Sequence, residues 1–266
     1  MLPILDAHCH IYPDKIALKA AAGIGSFYDI PMDLDGRVDT LLREEQRAGI
    51  THLLVHSVAT TPAQVAHINE FIASQVAQSG GCMTGFGALH PDSETIAEDV
   101  EHLIALGLKG VKIHPDVQAF ALDSDKSLQM LAHLEGRLPV LIHTGDFRYQ
   151  YSNPPQVKNL LRELPNLTVI GAHFGGWSMW EQATEELAGR YENFYVDCSS
   201  SFYALSPQTA KKLIERYGAD RVLFGSDYPM WKPVEELQRF AAVGLSEREQ
   251  RMVLYENGAK LLGLPL

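Results

Sequence analysis

The sequence predicts an α/β protein, a single (β/α)8 TIM barrel running over residues 1–266. Two observations carry that expectation. Eight short apolar, β-branched runs recur along the chain, and their ends fall roughly 25–45 residues apart, the length of a βα unit. Histidines 8, 10, 56, 90, 114, 143 and 173 lie at or just past the C-terminal ends of those runs. That end is the rim where a barrel builds its active site.

The runs are Leu2–His8, Thr51–Ser57, Met83–Leu89, Gly110–His114, Pro139–His143, Thr168–His173, Phe194–Cys198 and Val222–Ser226. Their length favours strand over helix. Several are almost continuously apolar, as parallel strands covered on both faces must be. Helix-start signals stand between them. Thr61-Pro62-Ala63-Gln64 and Asn153-Pro154-Pro155-Gln156 combine a capping residue, a proline and a glutamine. Ser206-Pro207 opens another helix, and Ser246-Glu247-Arg248-Glu249 is a capping box. Gly49, Gly107 and Gly218 stand where helices close. A doubly wound open sheet would carry a Gly-rich phosphate loop after its first strand, and His8-Cys9-His10 is not one. The stretch from Ile11 to about Asp35, rich in Gly, Pro and Asp, is expected to be a long loop, either a lid over the strand ends or an insertion.

Hydrophobic residues make up 46% and charged residues 21%, which excludes a disordered chain. The balance of 22 Lys+Arg against 33 Asp+Glu gives a net charge of −11, and phosphate backbones and anionic membranes require the opposite sign. The expected partner is therefore a small-molecule substrate, with no nucleic acid and no membrane; a homodimer stays open, since no interface signal is visible. Cys9, Cys82 and Cys198 are odd in number and widely spaced, which reads as reduced thiols of a cytoplasmic protein. The opening MLPILDAHCH lacks a basic region and is not expected to be a signal peptide.

His8 and His10 are separated by one residue. On a strand such a pair shares a face, so both rings can aim into the barrel mouth while Cys9 points outward. A pair of polar strand-end residues facing solvent is the alternative. His143, His173 and Asp227 each close an apolar run, where a polar group needs a partner or a ligand. Singly, each serves equally well as a satisfied structural group. Together they favour a site, and His8, His10, His143 and Asp227 make an N3O set suited to Zn²⁺, with Mn²⁺ or Fe²⁺ also acceptable.

These pieces resemble the amidohydrolase superfamily of metal-dependent hydrolases, and within it the amidohydrolase-2 branch related to aminocarboxymuconate-semialdehyde decarboxylase. The resemblance rests on Asp6-Ala7-His8-Cys9-His10, Gly110-Val111-Lys112-Ile113-His114-Pro115 and His143-Thr144-Gly145-Asp146. It continues through Ala172-His173-Phe174-Gly175-Gly176, Leu223-Phe224-Gly225-Ser226-Asp227-Tyr228-Pro229 and the closing Tyr255–Leu262 segment. It implies that His8, His10, His143 and Asp227 hold one metal and that His173 is a catalytic or substrate-orienting residue. Two-metal relatives need a bridging carboxylated Lys or a Glu. Lys112 offers itself for that, though a buried ammonium acting as a charge partner is the favoured expectation.

A bound Zn²⁺ lowers the pKa of its water from 15.7 to about 7. Asp227 would accept a proton from that water and return it to the leaving group. The expected reaction is hydrolysis of an amide, ester or lactone. Decarboxylation of a small aromatic or dienoic acid uses the same ligands and is the alternative; a non-catalytic metal-binding barrel is a third. Arg148 is a candidate carboxylate binder, or else a solvated loop residue. His114 is a candidate substrate contact, or else a structural cap. His56 and His90 are expected to support the site from behind. Asp6 shares the ligands' face by strand parity and would orient one of them, or make a deeper contact. Phe147, Tyr149, Tyr151, Trp177 and Trp180 are candidate walls of an aromatic pocket, or else local packing.

Overall fold

A computed structural model describes residues 3–266. The strands are β1 (Leu5–His10), β2 (His52–His56), β3 (Met83–Gly85), β4 (Gly87–Ala88), β5 (Val111–Ile113), β6 (Val140–Ile142), β7 (Val169–Gly171), β8 (Phe194–Asp197) and β9 (Val222–Leu223). All pairings are parallel and follow chain order. β3 and β4 are two halves of the third barrel strand, interrupted at the buried Phe86. Phe86 N–H still donates to Val55 O at 3.0 Å, and Lys109 N–H to Gly85 O at 2.9 Å, so the cylinder stays continuous there. Closure comes from Ala7 N–H to Phe224 O and His10 N–H to Tyr228 O, each 2.8 Å. Eight parallel staves thus form the expected barrel. The first stave begins at Leu5 rather than Leu2; Leu2 lies outside the described residues.

Helices cover the barrel: α1 (Asp14–Tyr28), α2 (Val38–Ala48), α3 (Val65–Gln78), α4 (Ile96–Ala105), α5 (Pro115–Gln118), α6 (Asp125–Ala132), α7 (Pro154–Glu163), α8 (Trp180–Leu187), α9 (Pro207–Tyr217), α10 (Pro233–Ala242), α11 (Glu247–Arg251) and α12 (Asn257–Leu262). Several begin as the sequence predicts. Ser206 Oγ accepts from Thr209 N–H at 3.1 Å, and Ser246 and Glu249 form the reciprocal box at the start of α11. Gly49 closes α2 in the left-handed region at φ 74°.

The segment expected to be a long loop is instead mostly helix α1. Its run DKIALKAAAG contains four alanines, a leucine and two lysines, strong helix formers whose summed preference outweighs the flanking Pro and Gly.

The core has two shells. Leu5, Ala7, Leu54, Phe86, Leu141, Ile170, Ala172 and Leu223 fill the barrel interior, and a larger cluster packs strands against helices. Below the site the barrel is therefore a solid apolar plug, and the cavity can open only at the C-terminal rim.

Candidate metal centre

On β1 a bulge decides which side chains reach that rim. Between Asp6 and Cys9 the strand spends one residue more than β2, which advances only from Leu53 to Val55. Leu5 and Ala7 face the interior below the bulge, and His8 and His10 face it above. Asp6 falls on the opposite face. Simple alternation puts Asp6 on the ligands' side, and the extra residue overturns that expectation. Asp6 Oδ1 accepts from His8 N–H at 3.0 Å and Ser226 N–H at 2.9 Å, tying β1 to the loop after β9, beside Cys9 and Glu45 of α2.

His8 Nε2 and His10 Nε2 stand 3.3 Å apart. Asp227 Oδ1 lies 3.4 Å from the first and 3.6 Å from the second. Donor atoms bound tetrahedrally to one Zn²⁺ at ordinary bond lengths are separated by about 3.3–3.6 Å. The three atoms therefore fit a divalent cation. Gly225 makes this packing feasible, because a Cβ there would sit 2.9 Å from His8 Cβ.

His8 and Asp227 are oriented from behind, whereas His10 Nδ1 is buried with no partner among the described residues. Asp197, at the end of β8, accepts from His8 Nδ1–H at 2.8 Å, which leaves the Nε2 lone pair facing its partners. Asp197 also accepts from His173 N–H at 3.1 Å and Ser199 N–H at 3.0 Å. Ser200 Oγ donates to Asp227 Oδ2 and accepts from Trp231 Nε1–H at 2.8 Å. Asp227 and His173 hold φ angles of 60° and 59°, left-handed conformations rare outside glycine, so strain is stored at the site. Burial lowers the pKa of His8 and His10, with the Lys112 charge adding to it, and keeps both imidazoles in the neutral form that binds metal. Burial raises the Asp227 carboxyl to about 6, against the opposing pull of Ser200 and Lys112.

His143 belongs to a second, connected set. Val117 N–H donates to His114 Nδ1 at 3.3 Å, so His114 carries its proton on Nε2 and donates it to Tyr28 OH at 2.7 Å. At the far end the carbonyl of Ser199 can only accept, so His173 Nδ1–H donates to it at 3.0 Å. His173 Nε2 then accepts from His143 Nδ1–H, also at 3.0 Å. Between these ends Tyr28 O–H donates to His143 Nε2 at 3.1 Å. This is a single consistent assignment of tautomers, and in it the 3.1 Å approach of His143 Nε2 to Gly145 O is a contact without a proton. The His114 and His143 rings stack at 3.9 Å. His8, His10, His114, His143, His173 and Asp227 thus line one cavity, with the first two and Asp227 meeting directly.

Other expected residues fall elsewhere. Arg148 does not line the cavity. Its Nε and NH2 groups grip Asp146 at 2.9 and 2.7 Å, and its NH1 donates to Phe27 O at 2.7 Å. Its charge is spent on bracing α1, which corrects the expected carboxylate contact. His90 Nδ1 accepts from Asp92 N–H at 3.2 Å, a loop contact away from the cavity. His56 packs edge-on against His8 and His10, at centroid distances of 4.9 and 4.5 Å. Of the five candidate aromatics only Trp177 lines the cavity; Phe147 is 70% exposed, and Trp180 Nε1–H donates to Ser201 Oγ. Lys112 lines it as strand parity with His114 demands, 1% exposed and with no hydrogen-bond partner at Nζ among the described residues.

Sequence reasoning missed Asp197, Ser200 and Tyr28. Asp197 closes an apolar run as Asp227 does, so the same signal was available. Tyr28 carried none, because it lies in the segment expected to be a loop.

Comparison with solved structures shows the same fold in proteins of low identity. An uncharacterized TIM-barrel protein of Bordetella bronchiseptica aligns with a TM-score of 0.82 at 19% identity, covering 98% of this chain and 99% of that one. A dihydroxybenzoic acid decarboxylase of Polaromonas sp. JS666, with bound manganese and 2-nitroresorcinol, aligns at 0.75 and 19%, covering 99% and 97%. A probable 2-pyrone-4,6-dicarboxylic acid hydrolase of Acinetobacter baumannii, with citric acid bound, aligns at 0.70 and 18%, covering 99% and 100%. No curated protein matches. A family model described as Amidohydrolase matches residues 5–264, from the bulged strand that presents the paired histidines to the last helix, and the chain belongs to that family.

Proposed function

We propose that this protein is a divalent-metal-dependent hydrolase acting on an amide, ester or lactone carbonyl of a small molecule. One observation carries the reading: the triangle of His8 Nε2, His10 Nε2 and Asp227 Oδ1 opens into a cavity that no arginine lines among the described residues. Arginine is the side chain that grips a carboxylate through two parallel donors, and the cavity offers none. His8, His10 and Asp227 would hold the cation, with His143 as a further ligand; the donor set suits Zn²⁺ and also accepts Mn²⁺ or Fe²⁺. When bound, the metal polarises the carbonyl and makes water a nucleophile at neutral pH.

The chain's own groups supply the rest. Asp227, fixed by Ser200 beside the metal position, is placed to take the proton from the attacking water and pass it to the leaving group. His173, brought down to about 4 chiefly by burial, stays neutral and orients His143. The Lys112 ammonium offsets the charge of Asp197 and Asp227.

Lys112 also favours a second reading, decarboxylation of a small aromatic or dienoic acid, because a substrate carboxylate would meet its unpartnered Nζ. Incubating metal-loaded enzyme with esters and lactones of short and long acyl chains, and with hydroxybenzoates, separates the two. A new carboxylate supports the hydrolase, CO₂ release the decarboxylase, and inertness towards every carbonyl offered by a metal-replete sample overturns the proposal.

A further inference from the structure

The cavity has a volume of about 670 Å³ and two unlike ends. The barrel end is polar, floored by the histidines, Asp227 and Lys112. Away from it the walls are Ile16, Ala20 and Gly23 of α1 and Ile68 and Phe71 of α3, while Phe27 of α1, its ring 6.3 Å from that of His114, joins the two ends. The α1 positions recur at intervals of four, three and four residues, a single helix face. Charged and polar lining groups at that end, Lys19, Gln64 and His67, are exposed and mark its mouth. Gly23 lines this end with open space beside it: a Cβ there would meet nothing within 4 Å.

Size and lining together limit what fits. An apolar cavity of about 150 Å³ is enough for benzene. A single-ring acid or a small lactone at the metal centre would leave most of this volume filled with water against apolar walls, which is unfavourable. We infer that the substrate carries its reactive carbonyl on an extended apolar tail, an acyl or alkyl chain, lying in the arm between α1 and α3. The position of the carbonyl rests on the metal-centre proposal above; the arm itself does not.

Two ladders of probes test this. On manganese-loaded protein, affinity is measured for linear hydroxamates from acetohydroxamate to octanohydroxamate. On metal-free protein, it is measured for linear alcohols from butanol to decanol. Burial of one methylene is worth up to about fourfold in affinity, so a gain of at least about thirtyfold is expected along the hydroxamates and a parallel rise along the alcohols. Gly23→Phe fills the arm, and Ile68→Asn makes its other wall polar. Each should bring the octano-to-aceto ratio below about threefold. A flat response along both ladders in the wild-type protein, or a gradient that survives both substitutions, overturns the inference. A gradient along the alcohols with no binding of any hydroxamate supports the arm and overturns the metal-centre reading instead.

Discussion

His8 and Asp197 lie 189 positions apart in sequence and meet through a 2.8 Å hydrogen bond at the floor of the cavity. Both are buried, and the carboxylate can only accept, so the bond selects the His8 tautomer that turns a lone pair towards His10 and Asp227. Asp197→Asn keeps the shape and removes the charge. Loss of such a supporting carboxylate costs about 10–100-fold in metal affinity. Competition with a chelator should show a drop of that size, with the circular dichroism spectrum unchanged. Unaltered affinity would show that the charge of Asp197 does not support the metal site.

Asp227 has two roles in the proposal, ligand and proton carrier. Asp227→Asn leaves an oxygen near His8 and His10 but no base. General acid–base catalysis contributes about 10²–10⁴-fold, so kcat should fall by at least that much on whichever ester or lactone the enzyme turns over. The His8–His10 pair should still retain metal at raised concentration. A variant that keeps wild-type kcat removes Asp227 from the mechanism.

The parts legible in the sequence were those with a local period. Strand runs, capping boxes and histidines closing apolar segments each declare themselves within a few residues, and they sufficed for the barrel and for the line of groups along its rim. What was not legible depends on contacts between distant segments. The β1 bulge is a register slip against β2, and nothing in Asp6-Ala7-His8 announces it. Arg148 looks free in the sequence because nothing in His143-Thr144-Gly145-Asp146 marks Asp146 as its counter-ion. Asp197 was legible by the rule applied to Asp227 and was overlooked. Tyr28 becomes meaningful only once α1 is known to cross the barrel mouth.

Tyr28 and a metal ion would compete for one atom. In the hydrogen-bonded series from Val117 to Ser199, the Tyr28 hydroxyl occupies the lone pair of His143 Nε2, the atom that would complete the proposed ligand set. Tyr28→Phe vacates it. A hydrogen bond is worth about 0.5–1.5 kcal/mol net, so metal affinity should rise by roughly two- to twelvefold. His114 Nε2 loses its acceptor in the same variant, and α1 keeps the Arg148 brace but loses its tie to the histidines, so amide exchange towards the Tyr28 end of Asp14–Tyr28 should quicken in the metal-free protein. If exchange quickens while metal affinity stays put, His143 is a structural residue and the ligand set ends at three.

A carboxyl away from the site should govern part of the pH dependence of stability. Glu236 of α10 is fully buried; one oxygen accepts from Arg239 and the other has no partner among the described residues. Burial raises its pKa from 4.5 to about 7, outweighing the Arg239 charge that favours ionisation. Between those values the native chain holds a proton that the unfolded chain releases. This stabilising contribution is complete below 4.5 and is lost as pH rises through 7. Glu236→Gln keeps an acceptor for Arg239 and cannot ionise. Urea midpoints of the metal-free proteins should therefore coincide in acid and separate as pH rises, with the variant more stable by about 1–3 kcal/mol above neutrality. Parallel profiles across the whole range would show that Glu236 titrates alike in the native and unfolded chains, its pairing with Arg239 offsetting its burial.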